Sequence, residues 1–293
     1  MKTVVVLAGG DSPEREVSLH SGAGVARALK EAGFSVNILD PAKPGFPEKL
    51  RGVKNIYAVF IALHGVKGED GTIQGFLETL GLPYTGSGIL ASALAMDKII
   101  AKQLFLSAGL SVPPGCPPLA FPLVVKPAHG GSTLGISIVK KKTDLAAALD
   151  LARKYDARIL LERFIPGTEI TIGILGNENP RILPAIQIVP AEGFYDYRAK
   201  YAPGGSRHLI PPELPRNWVK RAGEMVLAAH RLLGCRGLSR SEVIIDRKGK
   251  PYLLDLNTIP GFTATSLFPE AAAAAGISFG ELTRQLVELA REK

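Results

Sequence analysis

At 293 residues, with 46% apolar and 21% charged side chains, the chain is long enough for two or three modest domains and has a globular composition. No window approaches the roughly 20 unbroken apolar residues that a membrane-spanning helix needs, so no membrane insertion is expected. Its 35 basic and 27 acidic residues give +8, yet only Lys140-Lys141-Lys142 clusters, without aromatic neighbours, so a solvated turn is expected there and no nucleic-acid partner. The excess positive charge suits phosphate and carboxylate substrates. Cys116 and Cys235 show no metal or disulfide spacing and read as buried free thiols.

In chain order, the apolar start Thr3 to Ala8 runs into Gly9-Gly10-Asp11, a strand and turn rather than a leader, so a cytoplasmic protein is expected. Helical periodicity follows from Glu16 to Ala32, then a strand from Ser35 to Leu39, a strand from Ile56 to Leu63 and a helix from Gly71 to Leu80. This is the βαβ rhythm of an open parallel sheet, whose ligands meet the carboxyl ends of strands. The loops Gly9 to Glu16 and His64 to Gly71 lie at such ends.

After Gly86-Ser87-Gly88 one long amphipathic segment is expected to about Gly109, before Pro113-Pro114 and Pro117-Pro118 break the chain. A smaller α+β unit then reads as strand Leu123 to Lys126, loop Ala128 to Gly135, strand Ile136 to Val139, helix Asp144 to Lys154 and strand Arg158 to Arg163. Strands follow at Thr168 to Leu175 and Arg181 to Val189, then an irregular stretch from Gly193 to Pro215 and a helix from Trp218 to Leu233. Strands Glu242 to Ile245 and Tyr252 to Leu256, joined by the tight turn Asp246 to Gly249, precede two closing helices.

Two constellations carry chemistry. Strand 123–126 ends in Lys126 and opens into His129-Gly130-Gly131-Ser132-Thr133-Leu134-Gly135, where glycines would let backbone N–H groups approach phosphate oxygens beside the lysine charge. It is no Walker A loop, since the lysine precedes the glycines, and a plain turn is the alternative. The second is Arg240-Ser241-Glu242 with Asp255-Leu256-Asn257, which a hairpin would bring together. Glu242, Asp255 and Asn257 offer the all-oxygen set that magnesium prefers when it also holds phosphates, the alternative being a polar strand edge.

With Lys98 in Met96-Asp97-Lys98, Lys126 and its loop, Glu162 in Leu160-Leu161-Glu162-Arg163-Phe164 and the Asp-x-Asn element, the chain resembles the ATP-grasp enzymes. Pro13 to Ser18, Ile61 to Gly65, Gly68 to Gly71, Tyr84 to Gly88, Phe194 to Tyr197 with Ala199 to Tyr201, and Asn257 to Thr263 resemble the D-alanine–D-alanine ligase family within that class. The resemblance spans essentially the whole chain. It implies α/β and α+β units in a three-domain ATP-grasp architecture: an open parallel-sheet substrate domain at 1–87, a small central domain at 88–164, and a C-terminal domain at 165–293 carrying metal site and lid.

The resemblance also implies the roles. ATP would lie between the second and third domains, with Lys98 and Lys126 on its phosphates, Glu162 and Glu169 toward the adenosine, and the backbone near Phe164 and Ile165 reading the adenine. Gly131, Ser132 and Lys200 would also bind ATP, Lys200 contacting the amino-acid substrate as well. Glu242, Asp255 and Asn257 would hold magnesium, two ions being expected and manganese a substitute. Glu14 would take the ammonium of the first D-alanine, linked to Ser132 and Tyr201 with His64 close by. Arg240 would steady the reacting carboxylate, and Gly261, Ser266 and Leu267 would receive the second D-alanine. A homodimer is implied as well.

Read as residues alone, Glu14 could instead cap the following helix, His64 could be structural, and Lys200-Tyr201 could decorate a surface loop, although a long loop in a compact enzyme is often a lid. The family usually has aspartate where Glu242 stands and glutamate where Asp255 stands, so these two carboxylates are exchanged. The stretch from Lys98 to Lys126 is shorter than the family's, and His129-Gly130 replaces a more polar pair. A ligase accepting D-lactate or D-serine, a nucleotide-binding regulator without catalysis, and a basic nucleic-acid binder are the rival readings. No Ser/His/Asp triad is apparent from the sequence.

Overall fold

A run such as Thr3-Val4-Val5-Val6-Leu7 can be buried at every position only if both faces of its strand are covered. In the computed structural model, which describes residues 2–116, 119–130, 134–190 and 205–292, it is. This strand, β1 (Thr3–Leu7), is the centre of a parallel sheet ordered β2 (Ser35–Leu39), β1, β3 (Ile56–Ile61). Helix α1 (Arg15–Glu31) covers one face through Val25, Ala26 and Leu29 on Val4 and Val6. Helices α2 (Phe46–Gly52) and α3 (Thr72–Thr79) cover the other through Phe46, Leu50, Ile73 and Leu77 on Val5 and Leu7. The sequence reading has no α2. Its short length and flanking prolines hide it, yet Gly45 in the left-handed region (φ 73°) and Pro47 in the first turn are a helix start.

The expected long helix after Gly88 is two, α4 (Ile89–Met96) and α5 (Lys98–Ser107). Asp97 between them is extended, and its carboxylate accepts the N–H groups of Ile99 (3.0 Å) and Ile100 (3.1 Å), so it caps α5. The smaller antiparallel sheet is ordered β5 (Ser137–Val139), β4 (Leu123–Pro127), β6 (Ile159–Arg163), with α6 (Leu145–Arg153) against it. Its core is Cys116, Leu123, Val125, Val139, Ala148 and Ala152.

The largest sheet runs β10 (Ser206–Leu209), β9 (Ile186–Pro190), β7 (Gly167–Leu175), β11 (Leu238–Asp246), β12 (Pro251–Asn257), with β8 (Arg181–Ile182) also on β7. The single strand expected over 181–189 is therefore broken, at Leu183 to Ala185, where Pro184 has no N–H for a ladder. β10 lies inside the stretch expected to be irregular. One face of this sheet packs on α4, α5 and α7 (Arg216–Leu232), with Ala95, Phe105 and Val226 meeting Ile170, Ile172 and Leu253. The other face joins α8 (Leu267–Ala274) and α9 (Phe279–Leu289) to the parallel sheet. Phe262 stands at that joint, its ring 5.4 Å from both Phe60 and Phe279.

The β11–β12 turn forms as expected, with Asp246 Oδ1 accepting the N–H groups of Lys248 and Lys250. Gly249 closes it at φ +79°, and a Cβ there would come within 2.2 Å of Trp218, so only glycine satisfies both the turn and the packing. Both cysteines are buried free thiols and Lys140 to Lys142 are exposed, as expected. No helix among the described residues is long and apolar enough to cross a membrane.

Candidate active site

Two clefts meet at the β11–β12 hairpin. The first lies between the small sheet and the large one. Lys98 enters it from the first turn of α5, Val124 and Lys126 from β4, Glu162 from β6, Phe164 and Ile165 from the β6–β7 connection, Glu169 from β7, Glu242 from β11 and Asp255 from β12. Every described residue that the sequence assigns to nucleotide binding is thus in one place.

A buried carboxylate holds Lys126 of this cleft and Lys102 beneath it. Glu162, 3% exposed, gives Oε1 to Lys102 Nζ and Oε2 to Lys126 Nζ, each at 2.5 Å. Burial alone would raise the Glu162 carboxyl, but Lys126 and Lys102 outweigh it and hold it below the usual carboxylate range. Lys102 is lowered by burial, with Glu162 pulling it back. Burial and the neighbouring Lys126 likewise push Lys98 down, against Asp255, Glu69 and Glu242. Lys98 also donates from Nζ to the carbonyl of Gly130, and its backbone N–H donates to Ala128 O at 3.0 Å, tying α5 to the start of the glycine-rich loop. Gly135 closes that loop at φ +76°, where a Cβ would strike Pro127 and Tyr155.

The second cleft is lined by Glu14, His64 and Glu69 from the parallel sheet's loops, Arg240 and Asn257 from the hairpin, and Gly261, Ser266 and Leu267 from the turn into α8. Glu14 stands at the N-cap of α1 without a side-chain capping hydrogen bond, so what capping it gives there is the favourable placement of its charge at the helix N-terminus. Ser12 Oγ accepts the Glu14 N–H at 3.2 Å and donates to His64 O at 2.6 Å, pinning the two loops together. His64 is buried between Ser21 Oγ (3.3 Å from Nε2) and Glu69 Oε1 (3.6 Å from Nδ1), and Glu69 Oε1 also accepts the Gly65 N–H at 2.9 Å. Ser266 Oγ accepts the Thr263 N–H at 3.0 Å.

Arg240 Nη2 lies 3.3 Å from Glu242 Oε1, so the hairpin links the clefts. Arg240 pairs with Asn257 and Glu242 with Asp255 in the β11–β12 register. Asp255 and Asn257, two apart on one strand, share a face, and Asn257 Oδ1 accepts the Ile259 N–H at 2.8 Å. No group of three His, Cys, Asp or Glu side chains among the described residues converges as a metal site, so any divalent ion would depend on Asn257 or on ligand oxygens beside the Glu242–Asp255 pair.

Gly131, Ser132, Lys200 and Tyr201 lie outside the described residues, as does most of the expected lid. The sequence reading passes over Lys102, Glu69 and His208. Lys102 is four residues beyond Lys98, a helical spacing that could have flagged it. Glu69 sits inside the quoted Gly68 to Gly71 motif. His208, whose Nδ1 is 2.7 Å from Glu270 Oε2, has no local signal.

Comparison with known proteins points to one family. A family model described as D-ala D-ala ligase C-terminus matches residues 114–288, and one described as D-ala D-ala ligase N-terminus matches 42–87. The D-alanine–D-alanine ligase of Pelotomaculum thermopropionicum is 48% identical, the alignment covering 99% of this chain and 96% of the relative. That of Gloeobacter violaceus is 47% identical over 97% and 98%. A crystal structure of the Bacillus anthracis D-alanine–D-alanine ligase complexed with ATP superposes with a TM-score of 0.86 at 31% identity, covering 99% of this chain and 98% of that one.

Proposed function

The chain belongs to the D-alanine–D-alanine ligase family, and on that premise we propose how its two clefts join two D-alanine molecules at the expense of ATP, for peptidoglycan precursor synthesis. The observation that carries the reading is the β11–β12 hairpin. Its Arg240–Asn257 pair lines the amino-acid cleft, while the next pair on the same face, Glu242–Asp255, lines the nucleotide cleft. Same-face residues two apart on a strand are about 7 Å apart, so a carboxylate by Arg240 and a terminal phosphate by Glu242 would be within reach of each other.

In the first step the carboxylate of the first D-alanine attacks the terminal phosphorus of ATP, forming an acyl phosphate and releasing ADP. In the second, the amine of the other D-alanine attacks the acyl carbon, the phosphate leaves and the nitrogen loses its proton. Phosphoryl transfer needs alignment and charge neutralisation more than a protein nucleophile. Lys98 and Lys126 neutralise the phosphates, Arg240 holds the reacting carboxylate, Glu14 takes the first ammonium beside His64, and Ser266, Leu267 and Gly261 receive the second amino acid. Glu169 and the backbone at Phe164 and Ile165 hold the adenosine end. Gly131, Ser132, Lys200 and Tyr201 complete this assignment from the family pattern.

Glu242, Asp255 and Asn257 form an oxygen donor set that fits magnesium, two ions or manganese in their place, and the ion would supply further neutralisation of phosphate charge. The family pattern also supports the division at 1–87, 88–164 and 165–293, a homodimer and a cytoplasmic location.

The test is ATP-dependent phosphate release with D-alanine, L-alanine, D-serine and D-lactate, products identified by mass. D-alanyl-D-alanine is expected; turnover with L-alanine but not D-alanine would overturn the reading, and nucleotide binding without release would favour a regulator. Glu14→Gln should raise KM for the first D-alanine more than KM for ATP.

A further inference from the structure

Lys102 is a helix lysine largely withdrawn from water. It is 9% exposed, packed among Ala101, Phe105, Val112 and Leu253 behind the nucleotide cleft, and its ammonium meets Glu162. Lys98 and Lys102 lie one turn apart on α5, one entering the cleft and the other beneath it. On the small sheet Val124 pairs with Glu162 and Lys126 with Leu160, so Lys126 and Glu162 are diagonal neighbours on one face. The carboxylate therefore sits between a lysine that lines the cleft and one that does not.

We propose that Lys102 is a positioning residue for the nucleotide: acting through Glu162, it fixes Lys126 and preserves that lysine's net charge for the phosphates. This rests on the ATP reading of the cleft. A single carboxylate paired only with Lys126 would cancel its charge and hold its ammonium against any incoming phosphate. Shared between two lysines, the same carboxylate orients Lys126 while leaving the cluster at +1. In a buried site such a unit of charge is weakly screened and is felt at the phosphates. Glu162 accordingly serves the phosphate end of the nucleotide through its side chain, beside any contact its backbone makes to the adenosine.

Charge arithmetic separates this role from that of a structural pin. Lys102→Met leaves the cluster at zero, Glu162→Gln raises it to +2, and Lys102→Met/Glu162→Gln returns it to +1. ATP affinity is measured by calorimetry alongside KM values and melting temperature. Lys102→Met should weaken ATP by about tenfold, with KM for D-alanine within about twofold of wild type. Lys102→Arg should restore most of the affinity, and the double variant should bind ATP more tightly than Lys102→Met. If Lys102→Met does not fold, the double variant, which keeps Lys126 as the one charge of the cluster with an amide in place of the Glu162 carboxylate, carries the test: affinity within about threefold of wild type supports the role, and a larger loss overturns it. ATP affinity unchanged in Lys102→Met, or additive losses in the double variant, would overturn it. Wild-type protein that binds no ATP would instead sink the nucleotide reading on which it stands.

Discussion

The two smaller sheets attach to the rest of the molecule in different ways. The parallel sheet shares one continuous apolar cluster with the large sheet and its helices, Val4, Val6 and Phe60 meeting Leu175, Phe262, Phe268 and Leu282. The β5-β4-β6 sheet keeps a separate core, and its ties outward are polar: Lys102–Glu162 and Arg158–Asp97, at 2.5 and 2.7 Å, and the bonds from Lys98 to Ala128 and Gly130. An apolar joint is non-directional and strong, and suits a floor that positions Glu14 and His64. A polar joint spends its charges where the nucleotide needs them. The cleft proposed for the amino acids is thus built on a core shared by two sheets, and the cleft proposed for the nucleotide on a seam of ion pairs.

The largest effect should come from breaking the apolar joint. Phe268 is 1% exposed and packs across Gly173 and Phe262. Phe268→Ala is expected to cost about 3–5 kcal/mol of stability, read from denaturant unfolding. Loss of activity with no change in unfolding would show that the joint does not hold the sheets together.

At the polar seam the balance should reverse. Lys126→Met should lower kcat/KM by about 100- to 1000-fold, as loss of one positioned charge at a transferring group does, while unfolding changes far less than for Phe268→Ala. A melting temperature lowered as much as by Phe268→Ala would erase the contrast between the two regions.

The frame has a charge-sensitive point of its own. His230 on α7 is 1% exposed, its Nδ1 2.7 Å from Ser239 Oγ, and burial lowers its pKa from 6.5 to about 4. The folded state therefore favours the neutral ring. Above pH 6.5 nothing is lost. Between about 6.5 and 4 the unfolded chain takes a proton that the folded one refuses, and up to about 3 kcal/mol of stability disappears. His230→Gln should flatten this part of the stability profile and leave ATP affinity unmoved, whereas an unchanged acid profile would rule His230 out as its source.

These contrasts explain what the sequence could and could not tell. The buried strands β1, β4 and β7 announce themselves as β-branched runs, and the β11–β12 turn as Asp-x-x-Gly, because those signals are local. α2 does not, being seven residues started by a glycine and a proline. Asp97 looks like one polar position in a long amphipathic helix until its carboxylate is seen capping α5. Of the site, the residues within quoted motifs are legible. The spacing from Lys98 flags Lys102 but not its role, because a lysine on an amphipathic helix reads as a solvated face, and the partner that makes it a buried ion pair is 60 residues away in sequence. His208 meets Glu270 across a distance of 62 residues for the same reason.

The smallest effect tests the line where the two regions meet. Glu242 and Asp255 face each other across β11 and β12, and both line the proposed nucleotide cleft; the resemblance read from the sequence implies that they stand in exchanged order. Magnesium tolerates little departure from octahedral geometry at about 2.0–2.1 Å, so moving one carboxylate by a methylene should be felt unless the opposite one moves to compensate. The exchange keeps total charge and total reach while trading length between the strands. Glu242→Asp and Asp255→Glu should each lower kcat by about tenfold, about 1.4 kcal/mol, and raise the magnesium concentration needed for half-maximal rate. The double variant, which restores the usual order, should recover much of both losses, because ligands of one ion couple and independent side chains do not. Glu242 also faces Arg240 at 3.3 Å, so shortening it alone should in addition raise KM for the first D-alanine, while Asp255→Glu should not. Additive losses with unchanged magnesium dependence would separate the two carboxylates and leave the seam to the lysines alone.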